Sequence, residues 1–210
     1  MQYAKIAPIT IIKNPVTFSP SAPSFWSPKL NIFFVIGLAS YISITPTVAI
    51  TIPNPNKNFI GIDVKGARFW RGAKTAVDTG MNNVAFIRTQ IELINHIFAE
   101  NEVSEIWITF PDPQIKYKRT KHRMTNSEFL QNYKKVLKQD GLMHLKTDSE
   151  FMHGYTLGLL HGEGHEVIYA NHNIYKNEGS PAEVTGIQTF YENQYLEVNK
   201  AITYIQFKIK

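Results

Sequence analysis

From Asn58 to the C-terminus, apolar and polar positions recur in two periods that alternate along the chain, one suited to strands and one to helices. Asn58–Asp63 (NFIGID) is a short apolar run ending in an acid, which predicts a strand. Lys65–Thr79 predicts a helix, with Ala67, Trp70, Ala73 and Val77 at near-helical spacing and Gly80 as the stop. Val84–Arg88 reads as a strand, Glu92–Phe98 as a short helix, and Glu105–Phe110 (EIWITF) as a strand closed by Pro111. Thr125 and Glu128 have capping-box spacing for a helix running to about Lys138, with Gly141 as its terminator. Leu142–Lys146 is a strand, and Ser149 caps a helix to about His161. A strand at Glu166–Ala170, a helix at Gly186–Val198 and a strand at Ile202–Ile209 complete the series. Strands alternating with helices imply an α/β fold, a mostly parallel sheet with helices on both faces. Such sheets bind ligands beyond the carboxyl ends of their strands, so Asp63, 88–90, 110–116 and 146–148 are the positions to watch.

The first 53 residues have a different texture. Ser19-Pro20, Ala22-Pro23 and Ser27-Pro28 fall close together, and proline disrupts helix and sheet alike. Leu30 to Asn56 contains no charged residue, and Ile32–Leu38 (IFFVIGL) and Val48–Ile52 are strongly apolar. A membrane span needs roughly 20 apolar residues; this run is long enough but is diluted by Asn31, Ser40, Ser43, Thr45 and Pro46. Buried strands, or a stretch outside the native reading frame, fit it better, and no membrane partner is expected. The chain therefore divides into 1–53, atypical and not expected to be ordered as the rest is, and a domain over 54–210.

Charge sharpens this division. No Asp or Glu precedes Asp63, so all 17 acids follow it. The first 57 residues carry four lysines and no arginine, leaving 18 cations against 17 acids in the remainder. The net charge of +5 thus argues only weakly for a nucleic-acid partner. A local patch argues better: Lys116, Lys118, Arg119, Lys121 and Arg123 follow one another with no acid between Pro113 and Ser127. Lys65, Arg68 and Arg71 form a second cationic strip at helical spacing. The absence of cysteine excludes disulfides, thiolate metal sites and thiol nucleophiles. His153, His161 and His165 lie close in sequence, but Gly162 and Gly164 interrupt their helix, so no metal site is expected.

Candidate chemistry gathers at the strand ends. Asp63 is placed to accept hydrogen bonds from ribose hydroxyls, or simply to cap the next helix. In Phe110-Pro111-Asp112-Pro113 two prolines pin the chain around a carboxylate, which suits orientation of a base, although Asp-Pro turns are common.

Taken in order, FIGIDVKGARFWRGAKTA, EIWITFPDPQIKYKRTKHRMT, FLQNYKKVLK, HLKTDSEF and TFYENQY resemble the bacterial tRNA (guanine-N7-)-methyltransferase family over Asn54 to Lys210. The resemblance implies a Rossmann-like class I fold, S-adenosylmethionine as methyl donor, and a guanosine in the tRNA variable loop as acceptor, in the cytoplasm. It would set Asp63 at the cofactor ribose, Gln90 where many members carry an acid near the adenine, and Asp112 at the junction of cofactor and guanine as the catalytic residue. Lys116, Asp148 and the block Thr189, Phe190, Tyr191, Glu192 would contact the substrate. The family's first strand and glycine-rich loop should precede Asn54, the loop near Leu38–Ile44. Gly37 is the only glycine before Gly61, so that strand and loop are atypical or missing. Either Ile32–Leu38 substitutes for the strand or the sheet has an open seam. The alternative function is a tRNA-binding remnant that lacks the cofactor loop.

Overall fold

The computed structural model describes residues 10–12, 32–37, 54 and 56–210. Its strands are β1 (Thr10–Ile12), β2 (Ile32–Gly37), β3 (Asn58–Asp63), β4 (Val84–Arg88), β5 (Val103–Thr109), β6 (Leu137–Thr147), β7 (Glu166–Asn171) and β8 (Thr203–Lys208). They form one sheet in the order β1-β4-β3-β2-β5-β6-β8-β7. The five strands from β4 to β6 in that order run parallel, whereas β8 is antiparallel to β6 and β7, and β1 to β4. Helices α1 (Gly66–Asp78), α2 (Ile94–Ile97), α3 (Ser127–Val136) and α4 (Glu150–Gly162) make the crossovers, and α5 (Ala182–Thr185) and α6 (Phe190–Glu197) precede β8.

Of the two alternatives left by the sequence, a substitute strand or an open seam, the strand is the one present. β2 lies in the middle of the sheet, with Phe34 opposite Ile60 of β3 on one side and Ile106 of β5 on the other. It lies upstream of the boundary expected at Asn54. Leaving β2, the chain builds β3 and β4 to one side and then β5 and β6 to the other, so strand order reverses beside β2. The crevice at the carboxyl ends there is the binding position in folds of this kind.

Side chains alternate between the two faces, each buried under different partners. One face packs Ile60, Ile62, Ile87, Ile106, Ile108 and Leu145 against Leu130 and Tyr133 of α3 and Met152 and Leu160 of α4. The other packs Phe59 and Phe86 against Ala73 and Ala76 of α1, and Trp107 and Tyr204 against Ile174, Val184 and Ile202. Thus α1 is where expected but rotated. Its two alanines face the sheet and allow close approach, while Trp70, expected inward, is 62% exposed and Val77 is exposed as well.

Two helix boundaries also differ from the sequence reading. Asn126, not Thr125, caps α3: its Oδ1 accepts from the Phe129 amide at 2.9 Å. The Thr125 hydroxyl is buried and meets that of Thr156 on α4 at 2.7 Å. The chain passes directly from Val136 into β6, and Gly141 sits inside that strand rather than closing a helix. A Cβ on Gly141 would stand 2.9 Å from the Lys138 carbonyl oxygen, at a point where the β5–β6 register shifts. Likewise, α6 starts at Phe190 rather than near Gly186, because Thr189 and Glu192 form a complete capping box.

The two threonines at the α3–α4 contact give a double-mutant test. Thr125→Val strands the Thr156 hydroxyl in a buried site and costs about 1–3 kcal/mol in urea unfolding, whereas Thr125→Val/Thr156→Val returns close to wild type. Asn126→Ala removes the cap of α3 and costs about 1 kcal/mol in the same measurement.

Candidate active site

Three adjacent strand ends converge on one cleft. β3 ends at Asp63, whose Oδ1 accepts from the Lys65 amide at 2.9 Å and so shapes the turn into α1. The Thr89 amide donates to the Asp63 carbonyl at 3.1 Å, tying the end of β4 to that of β3. Gln90 follows, exposed at the start of the 3₁₀ turn Ile91–Leu93. After β5, Phe110 adopts φ 48°, a left-handed conformation rare for a bulky residue. It is held there because its amide donates to the Lys146 carbonyl at 2.8 Å and its ring is buried 6.5 Å from that of Tyr195. Pro111 and Asp112 come next. Asp112 Oδ1 accepts from the Gln114 amide at 3.0 Å, which leaves the carboxylate exposed on a fixed backbone.

Asp63, Gln90 and Asp112 line a cleft of about 350 Å³ with Ile62, Ile91, Met124 and Phe129 as apolar walls. Lys65, Glu92 and His122 add polar groups to the rim. Three expected site residues are therefore brought together. Lys116 is exposed at the mouth of the basic segment that follows Asp112. The glycine loop expected near 38–44 lies outside the described residues.

Asp148, Thr189 and Glu192 are not among the residues that line this cleft. Asp148, just past the end of β6, is half-buried and ion-paired with Lys200, whose ammonium lies 4.4 Å from the centre of the Tyr195 ring. Thr189 and Glu192 are buried at the start of α6, where Phe190 and Tyr191 form the first helical residues. Glu192, expected at the substrate, has no accessible surface. Its carboxylate accepts from the Tyr175 hydroxyl and the Lys146 ammonium, both at 2.6 Å, and from the Thr189 amide at 3.2 Å. Lys146 also donates to the carbonyls of Val184 and Ile187. Burial pushes the Lys146 ammonium below the ordinary lysine value, and the Glu192 carboxylate opposes that shift. The pair fastens the 184–192 segment to the end of β6. Among the described residues no group of three His, Asp or Glu side chains is placed to hold a metal ion, and no helix is long and apolar enough to cross a membrane.

A family model described as "Putative methyltransferase" matches residues 42–205. A tRNA (guanine-N(7)-)-methyltransferase of Christiangramia forsetii is 80% identical over 164 residues, which cover 78% of this chain and 73% of that protein. The chain belongs to the tRNA (guanine-N(7)-)-methyltransferase family. A Porphyromonas gingivalis relative with the same description is 51% identical over 153 residues, 73% of this chain and 62% of that protein. The fold agrees. The 16S rRNA methyltransferase KamB superposes with a TM-score of 0.62 at 12% identity, covering 86% of this chain and 88% of that one. An S-adenosylmethionine-dependent methyltransferase from Aquifex aeolicus gives 0.54 at 12% identity, covering 88% and 85%.

Within this methyltransferase, sequence reasoning missed Lys146 as the partner of Glu192, and it missed His122, Met124 and Phe129 as lining residues. The first had a signal, a lysine in an otherwise apolar strand end, where an unpaired charge would be costly. The others had none, since a loop's return to the cleft is tertiary. The buried pair makes a direct prediction. Glu192→Ala leaves a buried ammonium without its counter-charge and lowers stability by about 3–5 kcal/mol in chemical denaturation. Lys146→Met/Glu192→Leu recovers only part of the loss, because the Tyr175 hydroxyl, the Thr189 amide and the carbonyls of Val184 and Ile187 lose their partners.

Proposed function

We propose that this protein transfers the methyl group of S-adenosylmethionine to N7 of a guanosine in tRNA, and that donor and base meet in the cleft of Asp63, Gln90 and Asp112. The observation that carries this reading is the convergence of those three residues, from β3, β4 and β5, on a single cleft. The names of the relatives supply the reaction and its RNA substrate. The cleft suits the donor in size and lining: about 350 Å³ lies within the usual range for small-molecule sites. Its apolar walls accept an adenine face, the Asp63 carboxylate accepts from ribose hydroxyls, and the Gln90 amide offers both a donor and an acceptor to the adenine edge. When bound, S-adenosylmethionine supplies an electrophilic methyl group on a sulfonium.

Guanine N7 is an unprotonated acceptor on the major-groove edge of the base, so nothing must remove a proton from it before attack. The residues therefore orient rather than ionise. Correct alignment of reacting groups can supply up to about 7–11 kcal/mol of the barrier. Asp112, on its proline-pinned turn, accepts hydrogen bonds from the donor edge of the guanine and faces the positive charge that methylation leaves on the base. Lys116, Lys118, Arg119 and Lys121 hold phosphates and set the register of the RNA without reading its sequence. Thr189, Phe190 and Tyr191 lead the segment that the Lys146–Glu192 pair holds, so Glu192 serves the substrate by supporting its neighbours. Asp148 serves in the same indirect way through Lys200. This reading places the protein with its tRNA substrate in the cytoplasm.

Incubation of the full chain with tRNA and isotope-labelled S-adenosylmethionine, followed by nucleoside mass spectrometry, should give 7-methylguanosine as the labelled product. Asp112→Ala should lower kcat/KM by about 100-fold or more while leaving the melting curve near wild type. A label on another atom, or undiminished turnover by Asp112→Ala, contradicts the assignment.

A further inference from the structure

The basic segment after Asp112 is a built element that carries an exposed aromatic ring. Residues Tyr117–His122 form a 3₁₀ turn. The Thr120 hydroxyl donates to the Tyr117 carbonyl at 2.7 Å, the Arg119 amide to the Lys116 carbonyl at 2.8 Å, and the Asn126 side-chain amide to the Thr120 carbonyl at 3.2 Å. Arg123 ties this turn to the domain. It is only 6% exposed, and its guanidinium donates to the carbonyls of Gln114 and Ile115, both at 3.2 Å. The same group lies over the rings of Phe151 and Tyr155 on α4, at 4.8 and 4.4 Å. The last cation of the run is therefore a strut, withdrawn from any phosphate.

What the strut presents outward is unusual. Tyr117 is 91% exposed and Ile115 is 64% exposed, amid the exposed cations Lys116, Lys118, Arg119 and Lys121. A flat apolar ring inside a field of positive charge fits a partner that is anionic and offers π faces, and an unpaired nucleotide is both. In a duplex the base faces are stacked away, so the ring selects single-stranded RNA. Tyr117 lies five positions after Asp112, a span of about 17 Å at full extension, so a base on this ring lies near the reacting guanosine. Because the backbone beneath the ring is already held, little ordering cost accompanies binding.

We infer that Tyr117 is a stacking platform for an unpaired nucleobase next to the guanosine being methylated. This rests on tRNA being the substrate, and its test separates the two claims. The phosphate-directed lysines and the ring differ in salt dependence: loss of a phosphate contact reduces the slope of log affinity against log salt by about 1, whereas loss of stacking leaves the slope unchanged. In filter-binding titrations of full-chain variants with tRNA over a range of salt, Tyr117→Ala should bind about ten-fold more weakly at every concentration with the wild-type slope. Tyr117→Phe should restore affinity, Lys118→Ala should flatten the slope, and S-adenosylhomocysteine binding should be the same in all. Wild-type affinity in Tyr117→Ala, a slope altered as in Lys118→Ala, or no rescue by phenylalanine overturns the platform. Failure of the wild type itself to bind tRNA overturns the functional reading and the platform with it.

Discussion

Ile32–Gly37 pairs in parallel with β3 on one side and β5 on the other, and the cleft exists because of that double pairing. Asp63 and Gln90 come from the half of the sheet built on β3 and β4, while Asp112 comes from the half that begins with β5. Without the strand between them, each half would present an open row of backbone donors and acceptors, and their distance would be set by loops alone. With it, the spacing of strand ends fixes where a carboxylate from one half stands relative to a carboxylate from the other. The reversal of strand order at this point leaves the crevice uncovered by crossovers, which is why a small molecule can enter there.

Around that frame the protein holds its polar groups with buried anchors. The turn after β5 requires a left-handed phenylalanine, which persists because the Phe110 amide is bonded to β6 and its ring is enclosed. Lys146, one strand over, uses its carbonyl for that turn and its ammonium for Glu192, so the end of β6 supports both Asp112 and the start of α6. Arg123 does comparable work for the basic turn from the α4 side. In each case a charged or strained group is withdrawn from solvent and holds a neighbouring segment in place.

Much of this was legible in the residues. Period-2 and period-3.6 patterns located β3 to β8 and α1, α3 and α4 to within a few positions, and the strand-end rule singled out Asp63, Gln90 and Asp112. What was not legible depended on partners distant in sequence. Trp70 has the spacing of a core residue, yet the phenylalanines of β3 and β4 leave room only for alanine beneath α1. Thr125 has the spacing of a cap, yet Thr156 on another helix claims its hydroxyl. Glu192 sits in a block that resembles a substrate-binding motif, and its burial shows only when Lys146 and Tyr175 are brought against it. Ile32–Gly37 could be read as strand-like and as one of two ways to fill the centre of the sheet, but the choice depended on pairing with Phe59, 26 residues after Phe33, and with Glu105, 72 residues after it.

The central claim is that the frame around β2 seats the methyl donor between Asp63 and Asp112. A crystal structure of the full chain grown with S-adenosylhomocysteine tests it most directly. The account predicts the ribose hydroxyls on the Asp63 carboxylate, the adenine beside Gln90 and Ile91, and the sulfur turned toward Asp112. Cofactor density at any other edge of the sheet, or a cleft that stays empty at saturating cofactor, would contradict it.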